Sequence, residues 1–397
     1  MEDRTQRRVN ARQTNRFKVL RALYEHPGST RTELAADTGL SRPTVSTVTD
    51  ELVQAGIVAQ HEDTQPRTGR PPVLLSLASG AAYAVGLDMG HAHVQVAVSD
   101  LSGQILGHER SAADVDHAPV ESFDLAGELV HGALGQAGVP LDRVIGVGMA
   151  LAAPVDRATG TVFADGILPS WGRVQPAIEM EARLDLPVMV HNDANLGALG
   201  EHVFGAGRDV AEMMYVRLSA GLGLGLVLGG RPYGGTSGVA GELGHVRVAP
   251  EGLICRCGNR GCLETVASST AVARLLAHSR DEPVSVERLL ELVADGDRGA
   301  RRAVAEAGKT VGEALATVVN LFNPELIIVG GDLAAGGDAL LAPLRTAIDE
   351  YAVAPAAGAV TVSLGALGDK AEVLGAVALV LGESPAVLAT GAASVGS

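Results

Sequence analysis

Gly241-Glu242-Leu243-Gly244-His245 is followed, after nine intervening residues, by Cys255-Arg256-Cys257-Gly258-Asn259-Arg260-Gly261-Cys262-Leu263-Glu264. The chain has three cysteines, and all of them lie in this stretch. An odd, clustered set is not the disulfide framework of a secreted domain, so a reducing, cytoplasmic setting is expected. Three thiolates and the His245 imidazole complete a tetrahedral structural zinc shell: His245, Cys255, Cys257 and Cys262. A closed Cys3His shell leaves no position for a reactive water. Its zinc would hold a loop rather than do chemistry.

Outward from that stretch, 397 residues exceed one ordinary domain. A hydrophobic fraction of 47% supplies real cores and excludes a disordered or fibrous chain. No apolar run reaches membrane-helix length, residues 372–382 being the best stretch, and the polar start Met1-Glu2-Asp3-Arg4 is no signal core. The net charge of -15 argues against a nucleic-acid partner only as an average. Residues 1–72 carry 11 basic and 9 acidic side chains, whereas the remainder carries 20 and 37. A basic head precedes an acidic body.

The head reads as three helices and a hairpin. Phe17, Leu20, Leu23 and Tyr24 recur at helical spacing. Thr30 and Glu33 form a capping-box pattern, and Gly39 suits the end of that helix. Ser41 caps a third helix with Pro43 in its first turn, buried along Val45, Val48 and Leu52. Two strands, 57–60 and 73–77, flank a polar tip. This order is a winged helix-turn-helix spanning 1–78. Its third helix would present Arg42, Thr44, Ser46 and Thr47 to base edges. The tip Arg67-Thr68-Gly69-Arg70 would place Arg67 and Arg70 at the minor groove. Operator DNA is the partner this head implies.

The body alternates buried strands with helices and ends its strands in glycine turns, an α/β pattern with sites at strand ends. Val85 and Leu87 lead into Asp88-Met89-Gly90, with Asp100 twelve residues on from Asp88. This turn resembles the opening hairpin of the sugar kinase/actin-like ATPase fold. Val188–Val190 runs into His191-Asn192-Asp193, and Ser219-Ala220-Gly221-Leu222-Gly223 and Gly330-Gly331 mark two further strand ends.

Together, Gly-Glu-Leu-Gly-His and the Cys-x-Cys-Gly-x-x-Gly-Cys-x-Glu run closely resemble the signature of the ROK family of repressors and sugar kinases, over residues 83 to about 384. With the head in front, the chain resembles a ROK-type transcriptional regulator. The resemblance implies two lobes: 79–183, to which a C-terminal helix 370–384 returns, and 184–369 with the zinc site. Residues 385–397 read as a loose tail. It also implies a sugar or sugar-phosphate pocket formed by Asn192, Asp193, Glu242, His245 and Glu264, and a homodimer or homotetramer. His245 would ligate zinc through one nitrogen and face the sugar with the other. Trp171 is placed equally well in the pocket wall or the core. A ROK kinase would use Asp193 as general base, with phosphate turns reading Asp-x-Gly-Gly-Thr and Gly-Thr-Gly-x-Gly. Here those turns read Asp88-Met89-Gly90-His91-Ala92 and Ser219-Ala220-Gly221-Leu222-Gly223. Their side-chain bulk and missing hydroxyls point away from phosphate binding. The expectation is therefore a non-enzymatic, sugar-responsive regulator of the repressor kind, located in the cytoplasm and on the nucleoid when bound to DNA. A sugar kinase with a DNA-binding appendage is the alternative. A zinc-responsive regulator is a third reading.

Overall fold

The computed structural model describes residues 2–62, 72–156, 159–163, 167–168, 170–172, 174–280 and 282–390. Local chemistry accounts for the first elements. The first helix, α1, spans Glu2–Glu25 and starts well before the apolar stripe at 17–24. The second, α2 (Arg31–Thr38), starts where the Thr30 side chain accepts from the Glu33 N–H while the Glu33 carboxylate accepts from the Thr30 N–H. It ends at Gly39 in the left-handed region, which a side chain would strain. The third, α3 (Arg42–Gln54), is capped by the Ser41 hydroxyl, which accepts from the Thr44 N–H. Antiparallel strands β1 (Val58–Glu62) and β2 (Val73–Leu77) complete the winged helix-turn-helix.

Two five-stranded sheets follow. The first contains β3 (Tyr83–Met89), β4 (His93–Asp100), β5 (Ile105–Ala112), β6 (Val144–Leu151) and β7 (Val188–Asn192), in the order β5-β4-β3-β6-β7. Strands β3, β4 and β5 are antiparallel neighbours, and β6 and β7 add in parallel. Helices α4 (Pro119–Ala137) and α5 (Pro176–Leu184) make the connections that parallel pairing requires. The second sheet contains β8 (Met213–Leu218), β9 (Leu222–Leu228), β10 (Arg231–Pro232), β11 (Leu326–Gly330) and β12 (Thr361–Leu364), in the order β10-β9-β8-β11-β12. Between the sheets in sequence lies α6 (Asp193–Phe204). The remaining helices are α7 (Glu264–Ala267), α8 (Ser269–Arg280), α9 (Val286–Ala294), α10 (Arg298–Phe322), α11 (Asp338–Tyr351), α12 (Ala354–Ala359) and α13 (Ala371–Thr390). This is the α/β plan expected from the sequence.

Three sequence expectations change here. Strand β7 belongs to the first sheet, because Val188 and Val190 pack beside β6 in parallel register. A division at 183/184 therefore falls one strand too early. Residues 385–390 are not a tail. They continue α13, and Leu388 and Ala389 are buried against α1 in one cluster with Val19, Leu20 and Leu23. The third change concerns length: Gly368–Thr390, with a mean hydropathy of 1.8, is long and apolar enough to cross a membrane. Two-thirds of that window is buried inside the protein, against α6, α1, β3 and β6, which is the position of a core helix.

The two sheets meet through α6 and α13. Helix α13 covers β3 and β6 of the first sheet, α6 covers β8 and β9 of the second, and the two helices pack on each other. Glycine permits this closeness: a Cβ on Gly375 would lie 1.7 Å from the Leu196 carbonyl oxygen. The same α13 carries the winged helix on its far end, where Arg16 Nη2 donates to the Leu388 carbonyl at 3.4 Å.

Candidate functional site

The His245–Cys262 loop gathers the four expected metal donors. The His245 and cysteine donor atoms all lie within 4.8 Å of one another. Cys255 Sγ is 3.6 Å from His245 Nδ1, and Cys257 Sγ is 3.7 Å from Cys262 Sγ. A tetrahedral metal with bonds of about 2.3 Å to sulfur and 2.05 Å to nitrogen requires edges of about 3.8 and 3.6 Å. The donors thus fit a tetrahedral metal ion. Burial, and then the neighbouring thiols, push the Cys262 thiol up to about 12. A cation at the centre would favour the thiolates instead.

The other His245 nitrogen turns away from the sulfurs. Nε2 lies 3.7 Å from Glu242 Oε2, on the wall of a cleft holding about 480 Å³ with its open mouth included. Asn192, Asp193, Glu242, His245 and Glu264 all line this one cleft. Asn192 ends β7, and its side chain caps α6 by accepting from the Asn195 N–H. Asp193 opens α6. Glu242 and His245 flank a single 3-10 turn, and Glu264 opens α7 while accepting from the Leu222 N–H at 3.2 Å. Burial, then Asp193 and Glu264, push the Glu242 carboxyl up to about 7. Arg256 reaches Glu264 at 3.6 Å at the rim. Trp171 is not in this wall. It is buried in the first lobe's core beside Phe123, and its indole N–H donates to the Val115 carbonyl at 2.7 Å.

Arg217 was not singled out from the sequence. It sits on β8 with Nη1 3.1 Å from Asp193 Oδ2 and Nε 3.1 Å from Glu372 Oε1. Tyr215 Oη donates to the same Glu372 oxygen at 2.9 Å. Arg217, Asp193, Glu372 and Asp88 are all more than nine-tenths buried. Burial alone would lower the arginine's affinity for its proton, but Asp193, Glu372 and Asp88 reverse that and raise it, so its charge is fixed. The signal available in the sequence was one charge in the apolar strand Met213-Met214-Tyr215-Val216-Arg217-Leu218, since a buried charge demands a partner.

Arg217 and His91 separate the cleft from a second one, bounded by Asp88, Ser219, Gly330, Gly331 and Asp332 among others. Histidines stand at the two glycine turns. His91 Nδ1 bonds Asp116 Oδ1 at 2.7 Å, and the ring stands against Gly221, where an added Cβ would lie 3.2 Å from Nε2. His93 Nε2 bonds Asp88 Oδ2 at 2.9 Å.

On the winged helix, Arg42 and Thr47 are exposed near the start of α3, and Thr44 and Ser46 are half-buried. The Thr44 and Ser41 hydroxyls bond each other at 2.8 Å, and the Thr47 hydroxyl donates to the Pro43 carbonyl at 3.0 Å. Arg67 and Arg70 lie outside the described residues.

The ROK family model matches residues 84–383, well over half of the sequence. The chain belongs to the ROK family. A winged helix-turn-helix DNA-binding model matches residues 12–59. Among curated ROK relatives, the xylose repressor of Caldicellulosiruptor bescii is 28% identical over 385 residues, covering 94% of this chain and 96% of the relative. The DNA-binding transcriptional dual regulator NagC of Escherichia coli is 26% identical, with 86% of each chain covered. Among solved structures, a ROK family transcriptional regulator described as a homolog of the E. coli MLC protein superposes with a TM-score of 0.80. It is 26% identical and covers 97% of this chain and 100% of its own. A ROK family glucokinase from Streptomyces griseus, in complex with glucose and AMPPNP, gives 0.66 at 30% identity, covering 75% of this chain and 99% of its own. The curated relatives named here are regulators, and the body of this ROK protein also has the kinase fold.

Proposed function

We propose that this chain is a sugar-responsive transcriptional repressor that binds operator DNA through α3 and the wing and takes its effector in the cleft around Asp193. Convergence carries the reading: five residues from three separate segments, matched to the family's sugar-binding motif, line one cleft beneath a metal-fitted loop. Carboxylates and an amide spaced around a small cavity suit vicinal hydroxyls, which donate and accept in pairs. The effector is an unphosphorylated sugar. Among the described residues, three carboxyl groups and no uncommitted cation face the cleft, since Arg217 is committed to Asp193 and Glu372, and Arg256 to Glu264, a lining that disfavours a phosphate.

The four donors hold a structural zinc, which supplies charge and fixes the 245–262 loop. Through His245 Nδ1 it also fixes which ring nitrogen faces the sugar. The protein does not act as a kinase. Asp193 is spent on Arg217 rather than free to accept a hydroxyl proton, and a buried guanidinium stands between the two clefts where a phosphoryl group would have to pass. Palindromic operators call for a symmetric homodimer or a dimer of dimers in the cytoplasm, on the nucleoid when bound to DNA.

The test is a thermal-shift scan of the zinc-loaded protein with free sugars and sugar phosphates, with and without ATP. A ligand at 100 times its Kd adds about 2.7 kcal/mol. Stabilisation by a free sugar, unchanged by ATP and without ADP release, is expected. ADP release would establish the kinase reading instead.

A further inference from the structure

The geometry points to Arg217 and Glu372 as positioning residues that transmit the state of the sugar cleft to the DNA-binding head through α13, an inference resting on the effector site proposed above. Three observations form a continuous chain. Asp193 lines the cleft and gives Oδ2 to Arg217 Nη1 at 3.1 Å. The same guanidinium gives Nε to Glu372, in the first turn of α13 and outside that cleft. The last turn of α13 holds α1, through Leu388 and the Arg16 bond to its carbonyl. From Glu372 to Leu388 the helix runs about 24 Å at 1.5 Å per residue.

The charge count makes the link responsive. One guanidinium serves three buried carboxylates: Asp193, Glu372 and Asp88. Asp88 Oδ1 is buried with no hydrogen-bond partner among the described residues, while its other oxygen takes His93. An unpaired buried acceptor is costly, so the guanidinium has a competing place to go. A hydroxyl donated to Asp193 weakens its hold on Arg217 and shifts the guanidinium's share towards Glu372 and Asp88. Glu372 cannot shift alone, because α13 is gripped by backbone contacts on two sides: added Cβ atoms on Gly86 and Gly148 of the first sheet would meet its carbonyls at 2.2 and 2.1 Å, and one on Gly200 of α6 would meet the Ala371 carbonyl at 2.2 Å. The helix responds as a unit, and its far end moves the head.

The test needs neither the effector nor the operator. Hydrogen exchange is followed at the α1 amides of Val19, Leu20 and Leu23 in a double-mutant cycle of Asp193→Asn and Glu372→Gln in the full-length, zinc-loaded protein. Asp193→Asn imitates a neutralised pocket carboxylate, and Glu372→Gln keeps shape while removing charge. Asp193→Asn should change α1 protection about fivefold in the parent and leave it within about 1.5-fold in the Glu372→Gln background, as expected of groups in one network. Equal changes in both backgrounds, or none in the parent, overturn the proposal. Tyr215→Phe removes a hydrogen bond from the same Glu372 oxygen without altering charge and should preserve the coupling. If it abolishes the coupling as fully as Glu372→Gln, the link is packing alone and the proposal falls.

Saturating D-xylose, D-glucose or N-acetylglucosamine can replace Asp193→Asn as the perturbation should that variant not fold. Calorimetric binding of the same sugars reads the pocket separately. Coupling without sugar binding removes the effector reading and keeps the link. Sugar binding without coupling does the reverse.

Discussion

Replacing Gly375 by alanine should separate the two halves of the body. An alanine Cβ there would lie 1.7 Å from the Leu196 carbonyl oxygen, 2.4 Å from its carbon and 3.0 Å from its Cα. All three are backbone atoms, which no rotamer change can move aside. Restoring contact at about 3.4 Å requires α13 and α6 to part by more than 1 Å, an overpacking that costs about 3 kcal/mol. Alanine's better helix propensity returns about 1 kcal/mol at most. The matched control lies two turns along the same helix. Gly382 has no atom within 4 Å of its added Cβ, so Gly382→Ala should stabilise by about 0.5–1 kcal/mol. One chemical change in one helix therefore takes opposite signs. Urea unfolding of zinc-loaded protein, followed by far-UV circular dichroism, should place the two midpoints about 1 M apart for an m-value near 3 kcal/mol/M. If Gly375→Ala is as stable as Gly382→Ala, the close α6–α13 crossing described here is wrong, and with it the rigidity assigned to α13.

Other outcomes follow from the head and the loop. Thr30→Ala removes the hydroxyl that accepts from the Glu33 N–H, keeps the backbone N–H that donates to the Glu33 carboxylate, and should destabilise the winged helix by about 1 kcal/mol in thermal unfolding, with Thr30→Ser close to the parent. One zinc per chain is expected by elemental analysis. Cys257→Ser should lose it, and stripping the parent with a chelator should lower its unfolding temperature until one equivalent is returned. Arg42→Ala should weaken operator binding in fluorescence anisotropy. A change of about one in the slope of log K against log salt marks a phosphate contact, and an unchanged slope with relaxed sequence preference marks a base contact. Glu242→Gln should weaken sugar binding about tenfold or more while leaving DNA affinity without sugar unchanged, because a charge-assisted hydrogen bond is worth about 1.5–3 kcal/mol.

What was legible in the sequence was local. Caps, a proline in a first turn and a dense cysteine cluster act within a few residues, so α2, α3 and the metal loop could be read directly. The set proposed to face a sugar came from a long motif, and its members line one cleft. Pairings set by distant chain were not legible. Nothing in Val188–Val190 says which sheet will receive it, because a buried parallel strand looks the same at either. Residues 385–397 read as a loose tail, yet α13 continues past Pro385 to Thr390, since burying Leu388 against α1 outweighs one missing backbone bond. Arg217 and Glu372 lie 155 residues apart and explain each other only once folded.

The route of α13 also has a bearing on synthesis. Strand β6, which it covers, ends at Leu151, about 220 residues before the helix begins. At about 5–20 residues per second the ribosome takes about 10–45 s to supply it. During that interval one face of the nascent first sheet waits uncovered. That face presents Ala84, Gly86, Gly148 and Ala150, with Ile145 as its one large side chain on β3 and β6, whereas Leu87, Met149 and Leu151 belong to the cluster that α4 joins. Small side chains offer little apolar area to passing chains, so the wait carries less risk of aggregation than a leucine-rich face would. A polypeptide released before residue 371 would also lack the helix of the body on which α1 packs. An unfinished regulator would thus keep its winged helix but not the helix that holds α1 against the body.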